Sequence, residues 1–124
     1  MSQWKWNDVE LEIDMEDYDF LKKYEDAFKH MEITEKELQK IGNTSEILGA
    51  YCQMFYALFD DIFGAGTGER LFLGKKNARI CEECYESFIA ACAECNAVAN
   101  KRRAEIMIKY KPNRTARRAA GKRK

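Results

Sequence analysis

The chain has 124 residues, enough for one domain with one modest core and too few for a second, catalytic one. Its residues are 46% hydrophobic and 34% charged, a globular composition that excludes a wholly disordered chain. The net charge of zero hides a division: the 21 acidic residues all lie at or before Glu105, whereas Lys111 to Lys124 holds seven basic residues and no acid, leaving residues 1–110 at −7.

The stretch from Trp4 to Ile13 alternates apolar and polar residues around Asn7-Asp8, which predicts a short β-hairpin spanning about residues 3–14. A hairpin this small cannot stand alone. Its apolar face must lie on helices or pair with a strand of another chain, and the second arrangement would offer an edge for oligomerisation.

Asp14 is the expected cap of a first helix whose opening turn is acidic. At 100° per residue, Phe20, Leu21, Tyr24, Ala27, Phe28, Met31, Leu38 and Ile41 fall within about 160° of arc, one packing face. Thr34 with Glu37 matches a capping box, so the stretch is either one helix or two joined near Ile33, ended by Gly42-Asn43.

Asn43 or Thr44 then caps a second helix reaching about Phe63, with an apolar stripe about 200° wide. So wide a stripe makes the helix either central in the bundle or partly exposed as a protein-binding face, with Tyr51, Phe55, Phe59 and Phe63 as the candidate contacts. The run Gly64 to Gly68 reads as a loop, and Glu69 to Phe72 as a single helical turn. A last helix capped by Asn77 runs without Gly or Pro to about Tyr110, where Lys111-Pro112 breaks it.

These elements predict a mainly α fold: a small bundle of three to four helices over residues 1–111 with an N-terminal hairpin, and a disordered basic tail over 112–124. Within that tail Arg114, Arg117, Arg118, Lys122, Arg123 and Lys124 are candidate contacts for nucleic acid, an acidic protein surface, or another copy of the chain. No aromatic residue interleaves with them, which does not favour stacking on single-stranded bases.

Cys81-Glu82-Glu83-Cys84 and Cys92-Ala93-Glu94-Cys95 invite a zinc reading. On one straight helix, however, Cys81 and Cys95 stand about 21 Å apart, too far to share an ion. All four fall on one arc with Tyr85, Phe88, Ala99 and Ile106, so they are expected as small core residues, and no metal or other cofactor is expected. The lone His30 is placed on a helix surface, and Asp60-Asp61 reads as a solvated pair. Gly64 to Gly68 lacks the Lys-Ser/Thr ending of a P-loop. An enzyme is not expected. The chain opens without an apolar leader and has no run long enough to cross a bilayer, so the expected location is the cytoplasm.

Three stretches carry a family resemblance. They are Trp6 to Asp14 leading into Asp19-Phe20-Leu21-Lys22-Lys23-Tyr24-Glu25, Tyr51 to Phe55 with Phe59 to Gly64, and Pro112-Asn113-Arg114 with Ala116-Arg117-Arg118. In these the sequence resembles a group of short proteins from siphophages and prophages of Gram-positive bacteria, and through them tail assembly chaperones. The resemblance implies a helical, self-associating protein of the bacterial host cytoplasm. It would coat the tape-measure protein and keep it soluble until the tail tube polymerises. The alternative, from another class, is a small phage nucleic-acid-binding or host-defence regulator that uses the basic tail.

Overall fold

A computed structural model describes residues 2–110. Strand β1 (Ser2–Trp6) pairs antiparallel with β2 (Val9–Ile13), Trp4 opposite Leu11 and Trp6 opposite Val9. The turn needs a left-handed residue, and Asn7 supplies it at φ 53°, a conformation asparagine tolerates better than most side chains. Its side-chain Nδ2 donates to the Leu71 carbonyl at 2.9 Å and so fixes the turn to the rest of the molecule. The register puts Trp4, Trp6, Val9, Leu11 and Ile13 on one face. That face lies on the helices, the first of its two expected fates. The Trp4 ring stacks on Phe59 at 5.6 Å and meets Phe88 at 5.1 Å, while its Nε1 donates to Ser87 Oγ at 3.0 Å.

Helix α1 (Tyr18–Leu38) begins later than the sequence implied. Asp17, not Asp14, is the cap, accepting from the Phe20 amide at 3.0 Å. Asp14 instead closes the preceding turn, its carboxylate accepting from the Glu16 amide and its carbonyl from the Asp17 amide, which turns Met15 into the core. The helix is single: Thr34 donates its hydroxyl to the His30 carbonyl four residues back, an interior bond and not a cap. It also ends before Gly42, in a tight turn through Lys40 and Ile41.

Helix α2 (Thr44–Phe63) starts where its cap was expected, with Asn43 Oδ1 accepting from the Ser45 amide. It is central, packing against α1, α3 and α4 and burying Cys52, Met54, Phe55, Tyr56, Leu58, Phe59 and Ile62. Helix α3 (Thr67–Phe72) begins two residues earlier than expected. Thr67 donates to the Gly64 carbonyl at 2.7 Å, and Asp60, which is half-buried and not solvated as read from sequence, accepts from the Gly68 amide at 2.8 Å. Gly68 lies so close to α2 that a Cβ there would stand 2.8 Å from the Tyr56 Cα.

Helix α4 (Ala78–Tyr110) is capped by Asn77, whose Oδ1 accepts from the Ile80 amide at 3.1 Å. Cys81, Cys84, Phe88, Cys92, Cys95 and Ala99 pack inward against the other elements. Ala99 is the last buried residue among those described, and every position from Asn100 to Lys109 is exposed. These ten residues carry about 15 Å of α4 outside the core.

Candidate protein-docking surface

The first half of the surface is a groove where α1, α2 and α4 meet, enclosing about 270 Å³. Met31, Tyr51, Met54, Phe55 and Tyr85 line it with apolar and aromatic groups, and Glu35, Glu82 and Glu86 add carboxylates. Among the described residues no basic one lines it. Tyr51 and Phe55 meet edge to face at 5.0 Å, and Phe55 and Tyr85 lie 5.3 Å apart. The Tyr51 hydroxyl donates to Glu82 Oε2 at 2.8 Å; burial first, and then this carboxylate partner, push its pKa up to about 12. The groove thus offers an apolar floor and negative charge, the chemistry that receives an apolar side chain flanked by cations.

The second half is the overhang of α4. Ile106, Met107 and Ile108 are 40%, 49% and 72% exposed, and Val98 stands exposed just before them. Half of the large apolar side chains exposed among the described residues lie on this one stretch. Around them are Lys101, Arg102, Arg103 and Lys109, against Glu105 alone. Arg102 and Arg103 both pair with Glu16, in the turn that precedes α1, the latter at 3.5 Å. One carboxylate shared by two guanidiniums leaves the overhang net positive.

Of the aromatic face read from sequence, Phe55 and Phe59 are core residues, buried to 2% and 0% exposure. Phe63 is half-buried against Trp4, Phe20 and Phe88, and only Tyr51 lines the groove from a partly exposed position. Arg114, Arg117, Arg118, Lys122, Arg123 and Lys124, and the reading of 112–124 as a disordered tail, lie outside the described residues. Sequence reasoning missed Glu35, Glu82 and Glu86, and it placed Ile106 with the core cysteines. Ile106 is exposed because the helix has outrun the bundle by that point. Length was the available signal: 33 residues make about 50 Å of helix, against about 30 Å for α1 or α2.

The groups with chemical potential elsewhere are tied into the fold. All five cysteines are buried free thiols. Burial, then the neighbouring Cys52, pushes the Cys81 thiol up to about 12; burial, then Cys95, does the same for Cys92; Cys84 is raised mainly by burial. His30 Nδ1 lies 3.0 Å from Asp61 Oδ2 on the exposed side of α1 and α2. Among the described residues no group of three or more His, Cys, Asp or Glu side chains is placed to hold a metal ion, and no helix is long and apolar enough to cross a membrane.

No curated protein and no solved structure matches the chain. Residues 7–121 match a family model, from the hairpin turn through the whole helical body and beyond the overhang. The chain belongs to that family, a family of unknown function designated DUF6673.

Proposed function

We propose that this protein is a phage assembly factor of the tail-chaperone kind, acting in the cytoplasm of the bacterial host, self-associating, and binding the tape-measure protein. The observation that carries the reading is the end of α4, where Val98 and then the overhanging Ile106, Met107 and Ile108 stand exposed on a basic helix where a packed domain would bury or omit them. A tape-measure protein is a long helical client, and exposed apolar side chains on a cationic helix, with a separate acid-lined groove on the body, are suited to sheathing such a chain. Resemblance of the hairpin, the α2 stretch and the terminal basic motif to small siphophage proteins points the same way. Co-expression with the tape-measure protein of the same phage tests it. The tape-measure protein stays soluble and copurifies with this chain if the reading is right, and precipitates as it does alone if the reading is wrong.

A second reading has one observation in its favour. Lys101, Arg102, Arg103 and Lys109 prolong the basic run of Lys111 to Lys124 onto the helix, giving a cationic arm suited to phosphates. A nucleic-acid binder of this type shows affinity that falls steeply with salt and vanishes on truncation after Lys111. Salt-insensitive client binding separates the chaperone reading from it.

A further inference from the structure

We propose that the overhang of α4 docks in the acid-lined groove of a second copy of this chain, the two α4 helices running antiparallel and each filling the other's groove. The inference deepens the self-association part of the reading above and rests on it. Charge complementarity identifies the occupant: among the described residues the groove is lined by Glu35, Glu82 and Glu86 and by no cation, and the overhang is net positive, with Arg103 on the arc that would face the groove. The apolar parts also correspond, since the floor of Met31, Tyr51, Met54, Phe55 and Tyr85 calls for an apolar side chain and Met107 is half-exposed.

The contact must be made in trans. Tyr85 and Met107 stand on one unbroken helix, 22 residues and about 33 Å apart, so the overhang cannot turn back to its own groove. They nevertheless share a side of it. At 100° per residue, Arg103, Ala104 and Met107 fall within the same arc of about 100° as Glu82, Tyr85 and Glu86. A twofold axis near Asn96 therefore brings each Met107 over the other copy's Tyr85 and each Arg103 toward its glutamates, an isologous pair in which both contacts form twice. The residues that would cross at the axis, Ala93, Asn96 and Ala97, are exposed and small or short, and permit close approach.

Sedimentation velocity of the full chain over a wide concentration range tests the pairing, with far-UV circular dichroism to confirm folding. Both Met107 and Glu86 are exposed, so their replacement leaves the bundle intact. The wild type is expected to dimerise, and Met107→Glu or the pair Glu82→Lys with Glu86→Lys to weaken the dimer about tenfold or more. Adding Arg103→Glu to the lysine pair should restore much of the loss, a rescue that a merely structural role would not give. A dimer whose strength is unchanged in these variants overturns the groove pairing while leaving self-association standing. A wild type that is monomeric at every concentration overturns both.

Discussion

Trp4 and Trp6 lie two residues apart on the same face of β1, yet their indole N–H groups meet different fates. Trp4 Nε1 donates to Ser87, whereas Trp6 Nε1 is buried with no hydrogen-bond partner among the described residues. An unmade bond costs the desolvation of its donor, so Trp6→Phe relieves a penalty that Trp4→Phe does not. Urea midpoints should show Trp4→Phe to be the more damaging by about 1–2 kcal/mol. Leu73 and Gly68 differ likewise, the first set by backbone conformation and the second by close packing. Leu73 is exposed at φ 55°, a left-handed conformation that disfavours a side chain, so Leu73→Gly should raise stability by about 0.5–1 kcal/mol. Gly68→Ala drives a methyl group into the α2 backbone and should cost about 1–3 kcal/mol in the same assay. Residue types and alternation were enough to put Trp4 and Val9 on one apolar face of a hairpin, and packing on the helices puts both in the core. The Ser87 partner, the left-handed Leu73 and the pressed Gly68 depend on how distant elements meet, which no local pattern records.

The elements were legible wherever capping and periodicity agreed. Asn43 and Asn77 cap α2 and α4 where their sequences imply, and the wide stripe of α2 is explained by neighbours on several sides. Legibility failed where local chemistry offered two equivalent answers. Asp14 and Asp17 are both good caps, and the burial of Met15 decided between them. The cysteines of α4 were legible as a core stripe because they share an arc, and their surroundings predict a pH response. In the unfolded chain thiols ionise from about pH 8.5, while in the fold Cys81 and Cys92 keep their protons up to about pH 12. The stability these thiols contribute is therefore whole below about pH 8.5 and is lost as pH rises toward their folded values. Thermal midpoints should fall between about pH 8 and pH 10, and Cys92→Ala, less stable at neutrality, should show a shallower fall. If the variant's slope matches the wild type's, the thiols are not the cause. The overhang makes the opposite prediction. The exposed pairs of Arg102 and Arg103 with Glu16 tie it to the body, so replacing both arginines by Ala should change unfolding free energy by about 1 kcal/mol at most.

For the whole molecule, charge and packing divide at the same place. Through Ala99, the last buried residue among those described, the chain carries ten basic and 20 acidic residues; from Asn100 onward it carries eleven basic and one acidic. The sequence reading put this boundary at Lys111, where Pro112 interrupts the helix pattern. Basic residues also crowd the end of α4 before that boundary, so that part of the basic segment is helical and bears apolar side chains. A helical, cationic extension with exposed apolar side chains on an acidic body has the form of a handle for protein partners, and that is the basis of the chaperone reading. The measurement that tests it most directly is copurification of the tape-measure protein with tagged wild-type chain and with a variant in which Ile106, Met107 and Ile108 are replaced by serine. The account predicts a soluble complex with the wild type and its loss, with a folded body, in the variant. A tape-measure protein that is neither bound nor kept soluble by the wild type would contradict it.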